Sequence, residues 1–211
     1  MFILYFNSNT TFDNNSNSIY YSFIIIVYFI ELKKNNLSYF NLWLTGLSGS
    51  GKTTIAEKVS DCLTDISINN EVLDGDVYRA FLSPGAGYSE KERNAFRKKV
   101  IVLAGIFNKH DISCIIAMLS SSQSVRTLAR QELSNFVEVY VKCPIEVCIR
   151  RDPKGIYQRR KKEEMTPVVG IDIPYEEPIS PEIIVETDKI SIDSTLEIIL
   201  DKLKSLHLLK E

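Results

Sequence analysis

The chain has 211 residues and a formal net charge of −2, a balance that gives no indication of a general nucleic-acid binder. This length fits one domain with an appendage. The four cysteines and two histidines show no metal-ligand spacing, so we expect buried free thiols in a reducing compartment, the cytoplasm. Chemistry would then depend on carboxylates, basic side chains, hydroxyls or a bound metal.

Residues 1–40 differ in composition from the rest and are rich in Asn, Ser, Tyr, Phe and Ile. The apolar run Ile19–Ile30 is shorter than the roughly 20 residues of a membrane span, and it lacks the flanks of a signal peptide. We therefore expect no stable membrane insertion. A membrane-surface anchor, a dimer contact, a loosely ordered extension and a stretch outside the functional protein all remain open.

From Asn41 onward, apolar strands alternate with amphipathic helices. Strands are predicted at Leu42–Leu44, at Val72–Leu73 before Asp74, and at Ile112–Leu119, Val137–Val141 and Ile183–Val185. Helices are predicted at about Gly51–Leu63, Ser89–Asn108, Ser124–Leu133 and Ile192–Leu206, the second of them with a capping box of Ser89 and Glu92. This alternation predicts an α/β fold with a doubly wound, mainly parallel five-stranded sheet, like that of P-loop nucleotide kinases. We assign residues 41–206 to this domain and 207–211 to a tail.

The segment Gly46–Thr53 reads GLSGSGKT and matches the phosphate-binding pattern GxxxxGK[ST]. Its glycines let backbone N–H groups surround a phosphate, and the following helix adds its positive end. Lys52 would reach the β- and γ-phosphates, and the hydroxyl of Thr53 would hold Mg²⁺. The predicted ATP-binding residues are therefore Gly46, Leu47, Ser48, Gly49, Ser50, Gly51, Lys52, Thr53 and Thr54.

Asp74-Gly75-Asp76 closes the second predicted strand. In a doubly wound sheet, ligands bind at the carboxyl ends of the strands, so both carboxylates should face the phosphate site. Phosphoryl transfer to a hydroxyl needs a group that orients or deprotonates that hydroxyl, and another that helps to hold Mg²⁺. We predict that Asp74 and Asp76 share these roles, with Thr53 and Asp74 at the metal. The alternative is a polar turn, since Asp-Gly is a common turn dipeptide.

A dense basic run extends from Arg150 to Lys162, with Pro153 and Gly155 near its start. A mobile lid that closes over phosphates needs such a charge, and we place this lid at about residues 151–166. A solvated surface helix is the alternative. Arg79 and Arg93 are of the type that grips an anionic acceptor, although each could equally be a surface arginine.

Several strings beyond the phosphate loop are far more specific than the loop itself. With them, the chain resembles the adenylyl-sulfate kinase family over roughly Leu42 to Leu203. The similar stretches are Trp43–Thr53, Leu73–Asp76 with Arg79, Gly87-Tyr88-Ser89 with Arg93, Glu146-Val147-Cys148, Arg151–Tyr157, Gly170-Ile171-Asp172 with Pro174-Tyr175-Glu176, and Pro181-Glu182.

The resemblance implies a Mg-ATP enzyme that phosphorylates the 3′-hydroxyl of adenylyl sulfate (APS) to give 3′-phosphoadenylyl sulfate (PAPS) and ADP in sulfate assimilation. It also implies roles for single residues, and a homodimer is one expectation because the family commonly forms dimers. Carried over by position, the acceptor-binding residues are Asp76, Arg79, Arg93, Tyr88 as a base-stacking aromatic, Phe96, and Lys154 from the lid. Arg151 would contact ATP, and Ser120 would line the substrate as a catalytic hydroxyl rather than a covalent nucleophile.

Three positions depart from the family pattern, and all fall on the acceptor side. The family usually has proline at the position of Ser121, arginine at that of Gln123 and asparagine at that of Phe96. Two alternatives therefore stay open: a kinase of another nucleotide-linked acceptor, such as a cytidine diphosphate derivative in surface-polysaccharide synthesis, and a catalytically degenerate nucleotide-binding module.

Overall fold

A computed structural model describes residues 39–87, 89–164 and 167–209. The predictions for residues 1–38, for Tyr88 and for the end of the lid at residues 165–166 lie outside these ranges. No helix in the described part of the chain is long and apolar enough to cross a membrane.

The described strands form one parallel sheet, which confirms the predicted fold class. The strands are β1 (Asn41–Thr45), β2 (Asn70–Asp74), β3 (Ser113–Ala117), β4 (Phe136–Lys142) and β5 (Ile183–Glu186). Their order across the sheet is β2-β3-β1-β4-β5, so the chain passes from β1 to the edge strand β2, returns to β3 beside β1, and then adds β4 and β5 on the other side of β1. Crossover helices connect parallel strands of this kind, and they cover both faces.

The helices in the described residues are α1 (Lys52–Asp65), α2 (Gly75–Leu82), α3 (Glu90–Asn108), α4 (Gln123–Glu132), α5 (Ile145–Arg151), α6 (Ile156–Lys161) and α7 (Ile192–Ser205). The capping box predicted at the start of α3 is present, with Ser89 and Glu92 bonded reciprocally. Helix α2 was not predicted. The sequence Asp74-Gly75-Asp76 indicates a turn, but Asp74 accepts hydrogen bonds from the backbone of Asp76 and Val77 and so caps a helix instead.

Alternate side chains of the central strand enter two separate cores. Leu42 and Leu44 pack with apolar residues of α1 and α7, whereas Trp43 packs on the other face with residues of α3 and α4. The first core also includes Phe40 and Leu209, which lie just outside the predicted range 41–206. The predicted burial of free thiols holds for Cys114, Cys143 and Cys148, while Cys62 is half-buried.

A buried ion pair joins α4 to β4. Arg126 Nε lies 3.0 Å from Glu138 Oε1, and both side chains are almost completely buried. Arg126 also donates to the carbonyl oxygens of Ser120 and Glu176. One side chain therefore fixes the loop that follows β3 against the segment that precedes β5.

Candidate active site

The candidate site is a cleft of about 700 Å³ whose walls include residues from the carboxyl ends of β2 and β3 and from the start of α1. It brings together most of the residues predicted for ATP, metal and acceptor. The predicted residues that line it are Ser48, Gly49, Gly51, Lys52, Thr53, Thr54, Asp74, Asp76, Arg79, Arg93, Phe96, Arg151 and Lys154. Of the other predicted residues within the described ranges, Gly46, Leu47, Ser50 and Ser120 are not part of this lining.

The phosphate loop curls tightly between β1 and α1. Gly46 and Gly51 have φ angles of 154° and 102°, a region that favours glycine, and a Cβ atom on Gly46 would collide with the carbonyl oxygen of Val141. Lys52 Nζ donates to the carbonyl oxygens of Gly46 at 2.9 Å and Leu47 at 2.7 Å. Burial, together with the positive charge of Lys154, lowers the pKa of Lys52 to about 8. The ammonium group therefore lies inside the loop, where a phosphate would be contacted.

Thr53 and Asp74 meet at the base of the cleft. Thr53 Oγ1 donates to Asp74 Oδ2 at 2.7 Å, and the other carboxylate oxygen accepts from the backbone of Asp76 at 2.8 Å. Asp74 is 8% exposed. Among the described residues, no group of three or more His, Cys, Asp or Glu side chains forms a metal cluster. Mg²⁺ is typically held by one or two side-chain oxygens together with substrate phosphates and water, so this hydroxyl–carboxylate pair fits that ion.

The predicted lid lines the cleft through Pro153, Lys154 and Ile156 and is attached at three points. Lys154 forms an ion pair with Asp76, and Tyr157 OH donates to the carbonyl oxygen of Ser48 at 3.0 Å. Arg160 Nε donates to both oxygens of Asp172, at 2.9 and 2.8 Å. The segment 152–161 thus contacts the phosphate loop on one side and the Gly170–Asp172 string on the other.

Arg151 lines the same cleft. Its guanidinium donates to the carbonyl oxygen of Thr187 at 2.7 Å and to the hydroxyl of Thr187 at 3.3 Å. The Thr187 hydroxyl in turn donates to the carbonyl oxygen of Ser50 at 2.8 Å. Arg151 is therefore tied to the phosphate loop through a residue that the sequence did not identify.

The predicted acceptor residues Arg79, Arg93 and Phe96 line the cleft from helices α2 and α3. Arg79 from α2 donates to the carbonyl oxygen of Gly87, and its guanidinium carbon lies 5.4 Å from the centre of the Phe96 ring. Arg93 from α3 donates to the carbonyl oxygen of Pro167 at 3.0 Å. Phe96 is only 3% exposed and also belongs to the core between α3 and the sheet.

The structure corrects the prediction for Ser120. This residue is fully buried, and its hydroxyl accepts a hydrogen bond from Trp43 Nε1 at 3.1 Å. Its carbonyl oxygen accepts from Arg126. These contacts turn the side chain toward the core, because a buried indole N–H requires an acceptor. Ser120 supports the loop after β3 and does not offer a hydroxyl to the cleft.

Sequence reasoning missed several residues of the site. Tyr157 holds the lid, and Thr187 holds Arg151. Tyr157 lies within the Arg151–Tyr157 string that contributes to the resemblance. Arg97 also lines the cleft. Arg97 follows Arg93 by four residues in a predicted helix, and this spacing places both side chains on the same face of that helix.

The fold and the cleft define the class of protein. A parallel sheet with a phosphate loop after its central strand, a hydroxyl–carboxylate pair at the neighbouring strand end and a basic lid are the parts of a P-loop kinase. Arginines at the far end of the cleft suit an anionic second substrate.

Comparison with known proteins narrows the class to a family. The sequence profile described as adenylylsulphate kinase matches residues 38–186. A probable adenylyl-sulfate kinase of Pyrococcus abyssi is 38% identical over 167 residues, covering 79% of this chain and 96% of the relative. The adenylyl-sulfate kinase of Gloeothece citriformis is 37% identical over 169 residues, covering 80% and 96%. The chain belongs to the adenylylsulphate kinase family.

A solved structure agrees with this assignment. The APS kinase of Mycobacterium tuberculosis, in complex with AMPPNP and APS, has a TM-score of 0.76 and 32% sequence identity. The match covers 79% of this chain and 98% of the other.

Proposed function

We propose that this protein transfers the γ-phosphoryl group of ATP to the 3′-hydroxyl of adenylyl sulfate, giving PAPS and ADP. The observation that carries the proposal is the continuity of one cleft. It joins Lys52 and the Thr53–Asp74 pair at one end to Arg79 and Arg93 at the other. The M. tuberculosis relative, which was solved with AMPPNP and APS together, supports two nucleotides in such a cleft.

The ATP end would bind and polarise the triphosphate. The N–H groups of the phosphate loop and the ammonium group of Lys52 would contact the β- and γ-phosphates. Thr53 and Asp74 would hold Mg²⁺. When bound, this ion would offset the negative charge that develops on the phosphate oxygens during transfer. Arg151 would add a further positive charge at this end.

The acceptor end would bring the 3′-oxygen into line with the γ-phosphorus. Asp76 stands two residues after Asp74, the last residue of β2, where it would orient the hydroxyl and accept its proton. The bond between the acceptor oxygen and the γ-phosphorus would form as the β–γ bridging bond breaks and ADP leaves. Because Asp76 is paired with Lys154 here, acceptor binding would require Lys154 to move toward the phosphates.

The lid would exclude water from this transfer. Its contacts through Tyr157 and Arg160 hold it beside the phosphate loop, and its basic residues would offset the charge of the bound phosphates. We place the kinase domain at residues 41–206 with this lid at about 151–166. The free buried thiols favour a reducing compartment, and we propose the cytoplasm as the site of action.

One observation favours a second candidate. Phe96 fills the space beneath Arg79, at a position where the family usually has asparagine, and Gln123 accepts a hydrogen bond from Arg126 rather than offering a positive charge. A different nucleotide-linked acceptor, such as a cytidine diphosphate derivative, would be consistent with these changes.

The test is ADP release from Mg-ATP with adenylyl sulfate, run beside AMP and a panel of cytidine nucleotides. We expect adenylyl sulfate to have the highest kcat/KM, and Lys52→Met to abolish the acceptor-dependent signal. A higher kcat/KM with a cytidine nucleotide would favour the second candidate. The absence of acceptor-dependent ADP release with every nucleotide would contradict both.

A further inference from the structure

Arg97 is a buried arginine that faces the cleft and that neither the motifs nor the resemblance assigned. It stands one helical turn after Arg93 on α3, and only 3% of the residue is exposed. It lines the same cleft as Arg79 and Arg93.

The hydrogen-bond acceptors of Arg97 are neutral. Nη1 donates to the side-chain oxygen of Asn94 at 2.8 Å, and Nη2 donates to the carbonyl oxygen of Leu119 at 2.9 Å and to the hydroxyl of Ser121 at 3.4 Å. None of the ion pairs found among the described residues includes Arg97. A guanidinium group buried without a carboxylate is costly, and an anion in the cleft would offset that cost.

The charges around Arg97 are mainly of its own sign. Burial, and next the positive charge of Arg93, lower the pKa of Arg97 to about 10. Arg79 and Arg126 act in the same direction, and Glu90 opposes them. Arg97 remains protonated at neutral pH, so this end of the cleft carries an excess of positive charge.

The position of Arg97 relates it to the acceptor rather than to ATP. Leu119, which holds its guanidinium, follows β3, and β3 pairs with β2 so that Ala117 lies opposite Asp74. The carboxylate of Asp76 follows at the same edge of the sheet. Arg97 therefore lies one strand away from the Asp74–Asp76 pair, and it extends from α3, which packs on the face of the sheet opposite to α1.

We propose that Arg97 is a third basic residue of the acceptor site and binds an anionic group of the acceptor nucleotide together with Arg79 and Arg93. This inference rests on the proposed function, since it assumes a nucleotide acceptor in this cleft. Asn94, Leu119 and Ser121 hold the guanidinium in place, so little side-chain freedom is lost on binding. The loop after β3 lacks a positive charge at Gln123, and Arg97 supplies one to the same loop from the neighbouring helix.

The experiment compares Arg97→Gln with Arg97→Lys and with Lys98→Gln. The first removes the charge, the second keeps it, and the third removes one positive charge from the adjacent, exposed position of α3 that does not line the cleft. KM for adenylyl sulfate and for ATP is measured for each protein, together with the calorimetric Kd for adenylyl sulfate and the thermal unfolding midpoint.

We expect Arg97→Gln to raise KM and Kd for adenylyl sulfate about ten- to hundredfold, the range for loss of a charge-assisted hydrogen bond. KM for ATP should stay within about twofold, and Arg97→Lys should recover most of the loss while Lys98→Gln resembles the wild type. Equal losses in Arg97→Gln and Arg97→Lys, a parallel rise in KM for ATP, or unchanged adenylyl sulfate binding would overturn the inference. Should Arg97→Gln not fold, Arg97→Lys decides: the part of the loss that lysine does not recover should appear in KM for adenylyl sulfate and not in KM for ATP, and an unchanged KM for adenylyl sulfate would overturn the inference.

The two proposals fail in different ways. A wild-type protein that binds adenylyl sulfate through Arg97 but does not phosphorylate it would contradict the proposed function alone. Turnover of adenylyl sulfate that is insensitive to Arg97 would contradict this inference alone.

Discussion

The two ends of the cleft are built differently. The ATP end is formed mainly by one contiguous segment, residues 46–54, which is fixed by its own backbone and by the strand and helix it connects. The acceptor end is assembled from α2, α3, the loop after β3 and residues 167–169. Its side chains include Arg79, Arg93, Phe96 and Arg97, and Phe96 is one of the positions that depart from the family pattern.

This difference indicates which end of the cleft can tolerate amino-acid substitutions. The phosphate loop tolerates few substitutions, because its turn depends on glycine: a Cβ atom at Gly46 would collide with the carbonyl oxygen of Val141 in the neighbouring strand. Side chains that converge from separate elements can be exchanged for one another. Here Arg97 places a positive charge against the loop after β3, in which Gln123 is neutral.

The largest effect is expected at the ATP end. Lys52→Met removes the ammonium group held by the carbonyl oxygens of Gly46 and Leu47, and we expect kcat to fall about a thousandfold. Lys58→Met, at an exposed position of α1, is the matched control and should retain full activity. Steady-state ADP release measures both. Activity within tenfold of wild type in Lys52→Met would break the assignment of the loop as the catalytic phosphate site.

Two substitutions of Asp74 separate its role at the metal from its role as a helix cap. Their effect on activity should be smaller than that of Lys52→Met. Asp74→Asn keeps an oxygen that caps α2 but weakens the magnesium pair, so kcat/KM should fall about a hundredfold with little change in stability. Asp74→Ala also loses the cap and should lower the free energy of unfolding by about 1 kcal/mol. Activity titrated against Mg²⁺, together with thermal unfolding, distinguishes the two variants. Equal stability losses in both would mean that the cap depends on charge.

At the acceptor end, Phe96→Leu removes the ring beneath Arg79. We expect KM for the acceptor to rise about three- to tenfold, because the cation–π contact that positions the guanidinium is lost. Phe107→Leu, on the same helix and packed against the same core, controls for the loss of aromatic packing. An equal change in KM for ATP and acceptor, or an equal effect in the control, would argue against a positioning role for Phe96.

The smallest effect on activity is expected from a deletion that removes neither end of the cleft. Deletion of residues 1–38 should leave kcat/KM within about twofold of wild type, since residues 39–87, 89–164 and 167–209 supply the phosphate loop, the carboxylates and the arginines that line the cleft. A soluble, folded truncation without turnover would show that the cleft depends on the N-terminal segment.

The contiguous features were predictable from local spacing, whereas acceptor residues that converge from separate elements were named by the resemblance, and Arg97 among them was missed. The sheet, the capping box of α3 and the phosphate loop depend on local spacing, which the sequence displays directly. Helix α2 was missed because Asp-Gly favours a turn in isolation, whereas the cap contacts of Asp74 settle the conformation. The resemblance placed Ser120 at the substrate, whereas its hydrogen bond to Trp43 spans 77 residues, a contact that no local pattern encodes.

The most direct test of the account is the position of the transferred phosphate. The protein would be incubated with adenylyl sulfate and γ-labelled ATP, and the labelled product identified by chromatography and mass spectrometry. The account predicts label on the 3′-oxygen of adenylyl sulfate and no labelled product from the 3′-deoxy analogue. Label at another oxygen, or only inorganic phosphate, would contradict the geometry proposed for Asp76 and the acceptor arginines.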